Sequence, residues 1–350
     1  MSNEKEQHRS RLYDRLPRHP FYVEEFIDDL EVERSPTTLL NYIYDIEVFF
    51  DWCLREGLVE GPGYKDIPLS FLADLRLNEV NSYIKYLQIE RKLMPRSRAR
   101  KVSSLKSFFY YLTHRSEDEN GECYFYRNVM NKIPLPRVKE SAAKRADNIS
   151  KKILHGNDDR ELLEFIENEY VATLPTTGHY NQYKKHRERD LAIFALFLAS
   201  GIRVGELVSL NIENLDLHDQ LLSVSRKGDQ QDLIPFRPMA LPYLNAYLEK
   251  RPMYKPDDKE QAFFLTLYGG SGRRMTSRSV QNVVKKYTSA FNKQLSPHKL
   301  RHTVATKMVE QGLSPIDIMQ QLGHSSVQTT SLYTNPGLDA RKKKMSEMDS

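Results

Sequence analysis

Residues 35–57, SPTTLLNYIYDIEVFFDWCLREG, leave the chain little choice of local structure. Ser35 followed by Pro36 is a helix start: a hydroxyl to cap the first free N–H groups, then a ring already set at a helical φ. Leu39, Tyr42, Ile43, Ile46, Phe49, Phe50 and Leu54 recur at intervals of three and four, which is one stripe of an α-helix, and Gly57 closes it. A stripe this apolar must be buried against other elements, so the segment demands a packed helical domain. Trp52 and Cys53 are read as packing residues.

The neighbouring segments supply the partners. FLADLRLNEVNSYIKYLQIERKL reads as two short helices. RSRARKVSSLKSFFYYLTHR reads as another, with basic residues on one side and Leu105, Phe108, Phe109 and Leu112 on the other. Together they predict a helical domain over 19–131, preceded by a polar tail over 1–18. Two prolines and alternating charges predict an exposed linker over 132–148. The second domain then runs over 149–350. RDLAIFALFLAS is apolar enough for a buried helix and is broken at Gly201. In QLLSVSRKGDQQDLIPF, Leu222 and Val224 on one side and Leu233 to Phe236 on the other flank RKGDQQD, the pattern of strand, turn and returning strand. The rest reads as helical, with starts at Ser296-Pro297 and Ser314-Pro315. YGGSGRR lacks the Lys-Ser ending of a nucleotide-binding loop and reads as a surface turn. The expectation is a mainly α, two-domain protein: a helical N-terminal domain and an α-helical second domain with a small antiparallel β-sheet.

Several function classes drop out. No apolar run approaches the length of a membrane span, and the first residues, MSNEKEQHRSRLYDRLPRHP, have no apolar signal core, which implies a cytoplasmic protein. Cys53 and Cys123, the two cysteines, have no metal-ligand spacing and imply no disulfide scaffold. The net charge is +5, and its distribution is polarised. Residues 21–60 hold 11 acidic side chains against Arg34 and Arg55, whereas residues 91–106 hold seven basic side chains and no acidic one. That layout suits a protein presenting one face to a polyanion.

Four segments of the second domain carry polar groups that packing does not explain. Arg203 and Glu206 sit three apart in SGIRVGEL, at the start of a helix. Lys227 precedes Gly228 in the tight turn. His298 and Arg301 share one face of a helix in HKLRH, whose packed side is Leu300, Val304 and Met308. LGHSSVQTTSLYT places His324 and Tyr333 nine residues apart. Charged groups among core positions are costly unless they have partners or a function.

SGIRVGEL, RKG, HKLRH, LGH and the closing tyrosine, in this order, resemble the active-site signature of the tyrosine recombinases. The gaps of 24 residues from Arg203 to Lys227, 23 from Arg301 to His324 and nine from His324 to Tyr333 match the Xer type of that family. ECYFYRNVMNKI and KHRERDLAIFALFLASGIR look most like its single-recombinase XerS branch. The resemblance covers roughly 20–340. It implies a core-binding domain followed by a catalytic domain and a DNA strand-exchange transesterase that needs no metal, cofactor or ATP. Arg203 and Arg301 would hold the non-bridging oxygens of a phosphodiester, with His324 as a further donor. Tyr333 would be the nucleophile and Lys227 the proton donor to the departing 5′-oxygen. His298 would accept the tyrosine proton or polarise the phosphate, Glu206 would orient its neighbours, and His302 is read as a packed helix residue.

By the same resemblance, Arg96, Arg98, Arg100, Lys101 and Lys106 are the DNA-binding candidates of the first domain. The implied partners are double-stranded DNA with inverted-repeat half-sites, further copies of this chain in a homo-tetramer on two sites, and a DNA translocase as a regulator. Resolution of chromosome dimers at a dif-like site during cell division is the expected role. An integrase or resolvase of a mobile element is the alternative, although no arm-binding domain is expected in so short an N-terminal tail. The chain departs from the family's usual turn, with Arg226 where glycine is common and Asp229, Gln230 and Gln231 where basic residues often follow; Gly205 replaces a small polar residue. A different class, a helix-turn-helix regulator built on TVATKMVEQGLSPIDIMQQLG, leaves Arg203, Lys227, His324 and Tyr333 unexplained.

Overall fold

The computed structural model describes residues 3–135, 142–226 and 230–323. The chain divides into two compact units, Met1–Lys139 and Glu140–Ser350. No described helix is long and apolar enough to cross a membrane.

The first unit contains α1 (Asn3–Tyr13), α2 (Phe21–Glu31), α3 (Pro36–Arg55), α4 (Leu69–Asp74), α5 (Leu77–Ile89) and α6 (Pro95–His114). The opening stripe behaves as its spacing requires. Ser35 caps α3 by accepting from the Thr38 N–H, and Leu39, Ile43, Ile46, Phe49 and Phe50 are buried with Trp52 and Cys53. Val102, Leu105, Phe108, Phe109 and Leu112 of α6 complete the same core. The expected polar tail is corrected over residues 3–13, which form α1 against α3. Leu12 and Leu16 anchor it in the core, and Arg15 pairs with Glu47 at 2.7 Å. Two isolated leucines in a polar stretch make too faint a periodicity to read. The expected linker is also shorter than its 132–148 bounds: Ile133 belongs to the first core, and Ala142–Ser150 form α7.

The second unit continues with α8 (Asp158–Glu164), α9 (Thr177–Ser200), α10 (Val204–Ser209), β1 (Leu215–Asp216), β2 (Leu221–Ser225), β3 (Gln231–Pro235), α11 (Leu241–Lys250), β4 (Leu265–Tyr268), β5 (Ser271–Arg274), α12 (Ser277–Ala290), α13 (Pro297–Glu310) and α14 (Pro315–Leu322). Among the described residues, β1, β2 and β3 form an antiparallel three-stranded sheet, and β4 pairs with β5 in a second. The β2–β3 hairpin has the expected register, from Leu221 opposite Pro235 to Ser225 opposite Gln231. YGGSGRR is more than a surface turn. Gly269 and Gly270 form a two-residue hairpin turn between Tyr268 and Ser271, a connection that matches the twist of its strands.

The C-terminal half of α9 is buried on every side and is the axis of this unit; α11, α12 and α13 pack on it. One carboxylate inside that core ties two helices together. Asp190, wholly buried, accepts from Arg189 Nη2 at 2.6 Å, Lys286 Nζ at 3.1 Å and Tyr287 Oη at 2.9 Å, the last two from α12. Desolvating a carboxylate this deeply is tolerated only with such partners.

Candidate active site

The site is built where α9, α13 and α14 meet. α9 ends because Gly201 adopts a left-handed backbone, φ +71°. A Cβ at Gly201 would lie 2.9 Å from Leu322 Cδ2 and 3.2 Å from Val304 Cγ1, so the glycine also lets the last turn of α9 touch α13 and α14. The chain then turns into α10 with Arg203 at the N-cap. Glu206, only 6% exposed, reaches back along the first turn. Its Oε2 accepts from the Arg203 backbone N–H at 2.7 Å and its Oε1 accepts from Arg203 Nη1 at 2.7 Å. Arg274 of β5 braces the far end of α10, donating from Nη1 to the carbonyls of Val208 at 2.8 Å and Leu210 at 3.2 Å.

Arg301, on α13, is 3% exposed. It donates from Nη1 to the Gly201 carbonyl at 2.7 Å and from Nη2 to the Leu322 carbonyl. Arg203 Nη2 donates to the next carbonyl, Gly323, at 2.6 Å. Arg226, at the end of β2, donates from Nη2 to the preceding one, Gln321, at 3.0 Å. Three guanidinium groups from three distant parts of the chain thus meet three consecutive carbonyls. These are end-of-helix carbonyls of α14, which lack intrahelical partners and carry the negative end of the helix dipole. Gly323 is left-handed at φ +58°, which favours glycine, and a Cβ there would require the Arg226 guanidinium to shift.

The electrostatics follow from this crowding. Burial pulls the Arg226 guanidinium below the usual arginine value; Glu206 and Asp232 oppose that shift, and Arg203 adds to it. His298 lies one turn before Arg301, its ring edge-on to His302 at 4.2 Å between centroids. Partial desolvation, then Arg301 and Arg203, hold its pKa below the ordinary histidine value, which favours the neutral ring.

Of the residues singled out in the sequence, Arg203, Glu206, His298 and Arg301 are brought together. Lys227, His324 and Tyr333 lie outside the described residues. Lys227 follows Arg226 directly in the chain, and His324 follows Gly323. Arg226 is the site residue that sequence reading missed as a participant. Its one visible signal was an arginine standing where the family commonly has glycine.

In the first unit the basic set on α6 divides. Arg96 and Arg100 are exposed, and Arg98 and Lys106 are partly so. Lys101 is a correction: its Nζ donates to Asp45 Oδ1 at 2.8 Å, with the ammonium-bearing side chain 10% exposed and Asp45 wholly buried. Arg100 Nη1 and Ser104 Oγ also donate to Asp45 Oδ2, at 2.6 Å and 2.7 Å. A buried carboxylate needs cations, and Lys101 is held inside for that purpose. The exposed side of α6 continues to Tyr110 and His114, whose rings stack at 4.5 Å; the sequence reading had left both out.

Residues 164–338 match the model of the phage integrase family, and residues 23–116 match its N-terminal SAM-like domain. The chain is 40% identical over 326 residues to the tyrosine recombinase XerS of Lactococcus lactis subsp. cremoris strain SK11, covering 90% of this chain and 91% of that protein. The chain belongs to the tyrosine recombinases of the phage integrase family. This recombinase is also 38% identical over 341 residues to the XerS of Streptococcus gordonii strain Challis, covering 94% of this chain and 95% of that one. Its fold resembles the crystal structure of the XerH site-specific recombinase bound to difH substrate in a pre-cleavage complex, with a TM-score of 0.64 and 18% identity. That match covers 90% of this recombinase and 81% of the XerH chain.

Proposed function

We propose that this recombinase cuts and rejoins double-stranded DNA through a 3′-phosphotyrosyl intermediate on Tyr333, and that it resolves chromosome dimers at a dif-like site during cell division. The observation that carries the reading is the convergence of Arg203 and Arg301, 98 residues apart, on neighbouring carbonyls near His298, whose pKa both arginines lower. Two guanidinium groups so placed can exchange neutral carbonyl oxygens for the two non-bridging oxygens of a phosphodiester, a charge-assisted and stronger pairing.

In the proposed step the Tyr333 oxygen forms a bond to phosphorus as the bond to the 5′-oxygen breaks. The tyrosine proton passes to His298, and Lys227 protonates the departing 5′-oxygen. Arg203, Arg301 and His324 stabilise the added negative charge of the pentavalent transition state. Glu206 holds Arg203 in line. A 5′-hydroxyl from a second strand then attacks the tyrosyl ester, restores a phosphodiester and frees Tyr333. One phosphoester bond is exchanged for another at each step, so the chemistry consumes no ATP and calls for no metal. In the cytoplasm, two copies would occupy the half-sites of one duplex and four would join two duplexes, under the control of a DNA translocase.

Arg96, Arg98, Arg100 and Lys106 are proposed as phosphate or base contacts of the first unit. The 38–40% identity to XerS recombinases supports the chromosomal role over a mobile-element integrase.

The test is a nicked half-site DNA that loses its 5′-hydroxyl fragment once cut. A covalent protein–DNA adduct on a denaturing gel, abolished in Tyr333→Phe, is expected. Tight binding with no adduct on any DNA would replace this reading with that of a regulator.

A further inference from the structure

We propose that His302 is a positioning residue for DNA cleavage: its ring, packed edge-on against His298, fixes the orientation of the His298 ring beside Arg301. The proposal rests on the cleavage role given to His298 above. It goes beyond that role by giving a task to a residue that the sequence presents only as helix packing.

Both histidines belong to α13, one turn apart, and side chains four residues apart on a helix lie on one face. Their ring centroids are 4.2 Å apart with 67° between the planes. In such an edge-to-face pair the positive rim of one ring meets the negative face of the other, which fixes their relative orientation. His298 is exposed and stands in the first turn, after Ser296 at the cap and Pro297; His302 is half-buried, one turn deeper. Among the described residues His298 makes no hydrogen bond, so neither ring nitrogen is tied to an orienting carboxylate or carbonyl. The charged groups that act on it are Arg301 from its own helix and Arg203 from the start of α10. A guanidinium has no acceptor for a ring N–H, so these two cannot hold the ring as a carboxylate would. The contact that holds it is His302.

A base must present a nitrogen. Half a turn about the bond to the ring puts a carbon where a nitrogen stood, and a ring so turned cannot take the proton. On a helix χ1 has two accessible wells and the histidine χ2 is broad and roughly two-fold, so a free ring samples about four orientations. Catalytic bases are ordinarily held in line by a third group that hydrogen-bonds to them. On α13 the edge-on ring of His302 does that work, and it does so next to Arg301, which is buried and fixed by the Gly201 carbonyl.

The test is single-turnover cleavage of the nicked half-site DNA at saturating concentration, run as a double-mutant cycle with His298→Gln. His302→Ala releases the ring and is expected to slow cleavage about fourfold or more, with the half-saturating DNA concentration unchanged. His302→Phe keeps an aromatic edge in place and is expected to stay within about twofold of wild type. In the His298→Gln background, which has no ring to hold, His302→Ala is expected to change the rate by less than about 1.5-fold. An equal loss in both backgrounds would mean general support of α13 and overturns the proposal. So does an unchanged rate in His302→Ala, a His302→Phe as slow as His302→Ala, a loss confined to DNA affinity, or a wild-type rate for His298→Gln. If His302→Ala melts well below wild type, His302→Leu, which keeps volume without a ring, is compared with His302→Phe: a slower Leu variant supports the proposal and equal rates overturn it. Failure of the cleavage reading itself looks different. The wild type would form no adduct, or Tyr333→Phe would still form one, while the His298 ring-proton resonances of the DNA-free protein would still differ between His302→Phe and His302→Ala.

Discussion

Replacing Glu206 by glutamine changes one atom type and tests how the recombinase aims Arg203. Glu206 Oε1 and Oε2 each accept at 2.7 Å from Arg203, one from the side chain and one from the backbone. Glutamine can turn its oxygen to the backbone N–H, which preserves the helix start, but its NH2 then faces Nη1 and that bond is lost. A hydrogen bond to a charged group contributes about 1.5–3 kcal/mol. The Arg203 side chain is 43% exposed, so solvent screening reduces this to about 1–1.5 kcal/mol. Removing the anion also takes away one of the two carboxylates that offset the repulsion of Arg203 on Arg226, leaving Asp232, a further cost of about 0.5–1 kcal/mol. The sum, about 2 kcal/mol, corresponds to about 4–8 °C in the melting temperature of a unit of this size. The assay is thermal unfolding of wild type and Glu206→Gln at neutral pH and low salt, repeated near 1 M salt, where screening of the two arginines narrows the difference. The same pair of proteins is then compared in an Arg203→Ala background, in which Glu206→Gln is expected to cost less than half as much. A melting temperature within about 1 °C of wild type, or a cost unchanged in that background, refutes the reasoning that Glu206 acts through Arg203.

Other perturbations have equally definite outcomes. Asp190→Asn leaves Arg189 and Lys286 without their buried anion and should destabilise the second unit by about 3–5 kcal/mol in denaturant unfolding. His186, whose Nδ1 lies 2.8 Å from Tyr254 Oη, has its pKa lowered to about 4 by burial and by Arg189. Because the folded value is depressed, its contribution is fully present above about pH 6.5 and is lost as pH falls toward 4, a decline of up to about 3 kcal/mol that His186→Gln should flatten. In the first unit, Arg96→Ala should reduce the slope of log affinity for DNA against log salt by about one. Lys101→Met should leave that slope unchanged and lower the melting temperature, since Lys101 faces Asp45. The acid limb of cleavage at subsaturating DNA, which reports groups of the free protein, should fall below pH 6.5 and vanish in His298→Gln.

What the sequence determined by itself is local. Ser35, Ser296 and Ser314 each accept from a backbone N–H one turn later, and each helix begins where its Ser-Pro pair placed it. The stripe of α3 is buried as its spacing demanded, and the β2–β3 register follows from alternation around a single turn. The order and gaps of the motif residues were legible for the same reason: a catalytic set is a list of residue types, and a list survives in one dimension.

Tertiary structure decided everything that depends on residues far apart in the chain. Lys101 read as a surface cation until Asp45, 56 residues earlier, drew it into the core. Arg226 read as a departure from pattern until folding carried it to Gln321, 95 residues later. Leu12 and Leu16 became anchors only because the packing of α1 on α3 closes the first core over them. Side-chain periodicity reports which face of an element is buried, but it carries no information about which other element covers that face. The meeting of Arg203, Arg226 and Arg301 on three successive carbonyls is a property of how the start of α10, the end of β2 and α13 are packed around the end of α14, and only the packed chain contains it.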